Sequence, residues 1–181
     1  MTKETQFEPA YSYLHEICEN LHIDFRYIED IYIETGDFVK IEFMGTISKL
    51  ELIRCLVKKL LSSLYSFPER ETFQLCFVIN EVCTNIIIHS YKTEIGKIVI
   101  NMHKDGNLFE IKIKDSGKYG KMFYPELFTR FDLNHAVSIR KTNGFGVMLV
   151  NRIMDEVKYE SFEGFDCNII YMTKKLNGFN I

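Results

Sequence analysis

The sequence predicts an α+β protein, a two-layer sandwich in which a mostly antiparallel sheet carries helices on one face. Three observations predict it. Two consecutive stretches, Ile47 to Leu64 and Pro68 onward, repeat apolar residues at helical spacing. Two runs beyond Tyr91 alternate with period two across a strong hairpin turn, Lys104-Asp-Gly-Asn107. A last short helix is then followed by two closing strands. The resulting order is strand, two helices, hairpin, a long irregular stretch, helix, hairpin.

Taken in order, residues 1–35 form an N-terminal extension, partly helical because Tyr11, Leu14, Ile17, Cys18 and Leu21 recur at helical spacing. Gly36-Asp37 reads as a turn before the alternating strand Phe38–Met44. The helix from Ile47 to Leu64 places Leu50, Ile53, Leu56, Val57, Leu60 and Leu61 on one broad face, and Ser66-Phe-Pro68 breaks it. Pro68-Glu-Arg-Glu71 suits the first turn of the next helix. Strands follow over Lys97–His103 and Leu108–Lys114. Residues 118–143 contain Pro125 and little periodicity, as a lid or functional loop does. Val147–Met154 reads as a helix, with Val157–Ser161 and Asn168–Thr173 as strands. The main domain is expected over 36–175, with 176–181 as a tail.

The chain has 181 residues, 46% hydrophobic and 26% charged, which suits one domain with a real core. A net charge of -3 without a basic tail gives no footprint for nucleic acid and fits a basic protein partner. The five cysteines are scattered and form no C-x-x-C pair, as reduced core thiols of a cytoplasmic protein do. The N-terminus has no apolar leader, and no apolar run approaches membrane-spanning length, so no membrane is expected. The 15 Phe and 10 Tyr are read as core packing rather than a base-stacking surface.

Glu81 and Asn85 are the polar residues that stand out. A spacing of four puts them on one helical face, on a stripe with Phe73, Phe77 and His89 that begins apolar and turns polar. A carboxylate and an amide among Ile, Val and Phe need a partner. A hydrated metal ion with phosphates would serve, and so would a local hydrogen-bond network. Asp115 continues the apolar face of Phe109, Ile111 and Ile113 just before Ser116-Gly117. It is either a turn cap or the polar end of a pocket. Gly144 and Gly146 precede a helix, where backbone N–H groups and the helix dipole favour an anion. A Rossmann site would need a preceding strand, and a Walker loop would need a lysine and Ser/Thr. His15, His22, His103 and His135 have no metal-ligand spacing, and there is no Gly-x-Ser-x-Gly elbow.

The order Glu81-x-x-x-Asn85, Asp115-x-Gly117 and Gly144-x-Gly146-x-x-Leu149 resembles the N, G1 and G2 boxes of the GHKL ATPase superfamily, whose domain is the Bergerat fold. Glu81-Val-Cys-Thr-Asn85 with His89-Ser-Tyr91, and Gly144-Phe-Gly-Val-Met-Leu-Val, are similar to the bacterial anti-sigma-factor serine kinases of the partner-switching type. The resemblance implies an ATP- and Mg2+-dependent protein serine kinase that sequesters a sigma factor or similar regulator. Its substrate would be a small anti-sigma-factor antagonist, and a homodimer is implied. Glu81 would be the general base and Asn85 the Mg2+ ligand. Asp115 would accept the adenine amino group, with Gly117 beside the base. His89, Arg140, Gly144, Phe145, Gly146 and Val147 would complete the ATP site, and residues 118–143 the lid, where Arg130 and Lys141 are further candidates for phosphate contacts. Two departures stand out. Tyr119 takes the usual second glycine of the G1 box, with Gly120 one residue late, and Gly164 is followed by Phe165 and Asp166 where a threonine is usual. They raise the alternative of a catalytically weak member acting as a protein-binding module.

Overall fold

A computed structural model describes residues 8–22, 28, 30–91, 95–117, 145–162 and 167–176. Its elements are α1 (Glu8–Leu21), β1 (Tyr32–Thr35), β2 (Phe38–Met44), α2 (Ile47–Ser63), α3 (Glu69–Asn85), β3 (Lys97–Asp105), β4 (Leu108–Asp115), α4 (Phe145–Ile153), β5 (Glu156–Phe162) and β6 (Cys167–Lys175). Among the described residues the strands form one sheet in the order β1-β2-β3-β4-β6-β5, antiparallel at every pairing. The α+β expectation holds.

Alternation explains the sheet's single buried face. Three rows of partners run across it: Val39, Met102, Ile111 and Met172; Ile41, Ile100, Ile113 and Ile170; then Phe43, Ile98, Asp115 and Asn168. All twelve are buried. The first two rows are wholly apolar, and the third turns polar halfway along. Two adjacent strands thus bring Asp115 and Asn168 face to face at one end of the core, because antiparallel partners lie about 5 Å apart.

Helices cover that face. α2 buries Leu52, Ile53, Leu56, Val57, Leu60 and Leu61, and α3 buries Thr72, Leu75, Cys76, Val78, Ile79, Val82 and Cys83. Glu69 and Glu71 in the first turn of α3 complement its dipole. Beyond Asn85 the helix widens into a π-helical turn, Ile86–Tyr91, which buries Ile86, Ile87, Ser90 and Tyr91. Such wide turns concentrate at functional sites.

Several sequence expectations change. β1 was not anticipated, and the boundary expected at residue 35 falls inside the β1–β2 hairpin. Leu14, Ile17 and Cys18 of α1 join the same core as α2, with Lys59 bonded to Glu16 at 2.9 Å. The α3–π unit, Glu69–Tyr91, is long and apolar enough to cross a membrane, contrary to the expectation of no such run. Its buried side chains pack with the sheet's in one core cluster, as those of a globular core helix do. Finally, α4 begins at Phe145, so Gly146 is its second residue rather than a residue ahead of it.

Candidate functional site

Asp115 is the last residue of β4, and its inward position leaves it 1% exposed. Its two oxygens differ sharply. Oδ1 accepts three hydrogen bonds: from the Ser90 hydroxyl at 3.0 Å, the Gly117 amide at 2.8 Å and the Asn168 amide nitrogen at 3.0 Å. Oδ2 is buried with no partner. Burial raises the carboxyl's pKa, while the three donors pull it down. A buried acceptor without a donor costs about 1–3 kcal/mol, more when charged, so such a group marks a place for a ligand donor. The cap reading of Asp115 is seen on Oδ1, which accepts from the Gly117 amide, while Oδ2 stays buried without a partner.

The donors come from three elements. Ser90 is delivered by the π turn, whose extra residue per turn brings Ser90 and Tyr91 inward together. Tyr91 donates to the Lys97 carbonyl at 2.6 Å, and its ring fills the space that side chains at Gly45 and Gly96 would need. Gly117 lies so close to Ser90 that a Cβ there would sit 2.8 Å from both the Ser90 Cβ and its carbonyl oxygen. Asn168 also donates to the Gly117 carbonyl at 2.7 Å and accepts from the Tyr159 hydroxyl at 2.7 Å. Asn168 thus ties β5, β6 and the β4 exit together around Asp115.

A second cluster sits at the end of α3, one π-helical turn before Ser90. Glu81 and Asn85 are half-buried, and the Asn85 amide donates to Glu81 Oε1 at 3.3 Å. A long local bond thus links the pair, and neither side chain is sealed in the core. Gly146 lies against this carboxylate, so a Cβ there would overlap Glu81. The glycine is used for close approach between α4 and α3. Val147 is buried beside it in sequence. His89 is half-buried on the π turn, and burial lowers its pKa. Phe73, placed on the same stripe, is 73% exposed.

Arg140, Gly144 and the lid 118–143, with Arg130, Lys141, Tyr119 and Gly120, lie outside the described residues, as do the side chain of Phe145 and residues 163–166. Among the described residues no group of three His, Cys, Asp or Glu side chains forms a metal cage. That donor set fits Mg2+ carried by phosphates, which keeps its waters and takes few protein ligands, such as the Asn85 amide oxygen. The orphan Asp115 Oδ2 fits an adenine amino group. Ser90, Asn168 and Tyr159 had no role assigned from sequence. The signal for Asn168 was legible, because period two on β6 puts it on the face of Ile170 and Met172, where a polar side chain needs a partner.

An antiparallel sheet under an Asn-bearing helix, with a buried aspartate at a strand end and a glycine-bearing helix against the helix's glutamate, defines a GHKL-type ATPase domain. The chain belongs to the histidine kinase-like ATPase domain family, whose profile matches residues 44–174. It is similar to the serine-protein kinase RsbW of Bacillus mycoides (strain KBAB4), with 29% identity over 111 residues, 61% of this chain and 66% of the relative. It is also similar to RsbW of Bacillus thuringiensis (strain Al Hakam), 32% identical over 97 residues, 53% of this chain and 59% of the relative. RsbW of Bacillus cereus (strain AH820) matches at 32% over 99 residues, with the same shares of 53% and 59%. The chain thus spans 59–66% of the length of these curated relatives.

Proposed function

We propose that this protein is an ATP-dependent protein serine kinase and anti-sigma factor that phosphorylates a small anti-sigma-factor antagonist, acting in the cytoplasm as a homodimer. The observation that carries the nucleotide part is the divided carboxylate of Asp115, with one oxygen saturated and the other buried without a partner. The likeness to serine-protein kinases supports the choice of reaction.

When bound, Mg-ATP supplies the transferable phosphoryl group and the positive charge that offsets its oxygens. Asp115 Oδ2 accepts the exocyclic amine of the base, and the backbone at Gly117 lies alongside it. Asn85, at the end of α3, offers its side-chain oxygen to the cation. Glu81, one turn earlier, takes the proton of the attacking serine hydroxyl or orients it. The resemblance would assign His89, Arg140, Gly144, Phe145, Gly146 and Val147 to the phosphate side. Phosphorylation adds charge at the antagonist's interface and weakens its binding, which frees the kinase to hold the sigma factor.

Calorimetry with Mg-ATP on the intact protein, Asp115→Asn and Glu81→Gln tests this reading. Expected are micromolar-range binding by the intact protein, its loss in Asp115→Asn, and its retention in Glu81→Gln with loss of transfer to a serine-bearing substrate. A folded wild-type protein that binds no ATP overturns the kinase reading in favour of a protein-binding module.

A further inference from the structure

The hydrogen bonds around Asn168 do more than satisfy a buried side chain. An amide presents a donor at one end and an acceptor at the other, and its orientation follows from its partners. Here Nδ2 meets two acceptors, Asp115 Oδ1 at 3.0 Å and the Gly117 carbonyl at 2.7 Å, while Oδ1 meets the Tyr159 hydroxyl at 2.7 Å. A flipped amide would press its oxygen against both of those acceptors and take one donor from each. The Tyr159 hydroxyl opposes that flip, because a phenol that donates to Oδ1 pins the amide. Ser161 hydrogen-bonds the same phenol, and burial raises the phenol's pKa, so it stays protonated as a donor.

We propose that Tyr159, acting through Asn168, is a positioning residue that sets the purine specificity of the Asp115 pocket. The inference rests on the ATP-site reading above. With its amide pinned, Asn168 completes the three donors on Asp115 Oδ1, which work against the burial that raises its pKa and hold the carboxylate in one rotamer. In the ionised form Oδ2 is an acceptor only. A 6-amino purine meets it with an N–H, whereas a 6-oxo purine presents a lone pair and is repelled. If the amide is released, one donor on Oδ1 is lost. A carboxyl that then gains a proton presents a donor on Oδ2, and the 6-oxo base becomes acceptable. A threonine at position 168 would act differently, since a hydroxyl rotates to suit its acceptor and needs no orienting partner.

The test is calorimetry of the full chain with Mg-ATP and Mg-ITP, two nucleotides that differ only on the edge of the base made by position 6 and N1 (an amino group and a bare nitrogen against an oxo group and an N1–H) and carry the same triphosphate. The readout is the ratio of the two dissociation constants. Wild type prefers ATP, and Tyr159→Phe, which keeps the ring, narrows the preference about tenfold, the equivalent of one lost hydrogen bond. Asn168→Leu removes the same donor from the other side and narrows it as much, which keeps the test open should Tyr159→Phe fold poorly. In an Asn168→Thr background, Tyr159→Phe leaves the ratio unchanged. A purely structural role would weaken both nucleotides by equal factors and hold the ratio, and that result overturns the proposal. So does an undiminished effect of Tyr159→Phe in the Asn168→Thr background. A folded wild type that binds neither nucleotide overturns the ATP site and this relay together; one that binds ATP with a ratio indifferent to Tyr159 overturns the relay alone.

Discussion

Gly146→Ala separates stability from catalysis at one atom. The added methyl carbon would sit 2.7 Å from Glu81 Oε2 and closer still to Oε1 and Cδ. The obstacle is the far end of a flexible, half-buried side chain, so Glu81 gives way by on the order of 1 Å to reach ordinary contact. The retreat breaks a 3.3 Å bond to Asn85, worth about 0.5–1 kcal/mol at most at that length. Replacing a helical glycine by alanine returns up to about 1 kcal/mol. The two nearly cancel, and the melting temperature should move by no more than about 4 °C. On the proposed reading of Glu81 as the base, chemistry has no such compensation, since displacing it by ~1 Å would cost about 100-fold in rate. Thermal unfolding, ATP calorimetry and single-turnover phosphotransfer on the variant read the three quantities separately. Unchanged stability, ATP affinity within a few-fold and transfer down about 100-fold are expected. Full-rate transfer, or a collapse in melting temperature, would refute the argument that Gly146 is there to seat the Glu81 carboxylate.

Three other expectations can be checked directly. Burial raises the folded-state pKa of Asp115, so the folded state holds its proton more tightly than the unfolded chain; stability should therefore fall as pH rises above the ordinary carboxylate range, until the raised folded value is passed. Denaturant unfolding from pH 4 to 8 should show wild type losing ground to Asp115→Asn over that window, and a gain would contradict the burial argument. The Cys83 thiol is pushed up to about 12 and the Cys76 thiol to about 11 by burial, so both should resist alkylation in the native protein while the half-buried Cys55 and Cys167 label first. Removing residues 1–35 strips Leu14, Ile17 and Cys18 from the core along with β1, at about 1.5–3 kcal/mol for each large side chain; unchanged thermal stability of the truncated chain would show the extension to be an independent appendage.

Much of the fold was legible because its signals are local. Alternation from Phe38 to Met44 and across the Gly106 turn places the three central strands, and helical spacing places α2 and α3. β1 escaped because Tyr32–Thr35 is four residues long, too short for alternation to register. The stripe from Phe73 to His89 misled for a geometric reason. Steps of four residues advance about 40° beyond a full turn, so five such positions wind through roughly 160° of the helix. Phe73 thus faces solvent although Glu81 and Asn85 border the site. The Ser90 contact depends on the π turn, which no periodicity announces. The pairing of Asn168 with Asp115 depends on register between strands more than fifty residues apart, and register follows from the whole sheet rather than from either strand.

On the proposed reading of the site, one aspartate serves fold and function together. A carboxylate used only as a turn cap would be satisfied by Gly117, and one used only for a ligand would be free to rotate in the empty protein. Here three donors from the π turn, the β4 exit and β6 converge on a single oxygen. They hold the carboxyl at the edge of a largely apolar core, and they do so without touching the second oxygen. The cost of leaving that oxygen bare falls on the unliganded protein alone. A ligand that offers an N–H there recovers it on binding, so part of the affinity is stored in the fold before the ligand arrives.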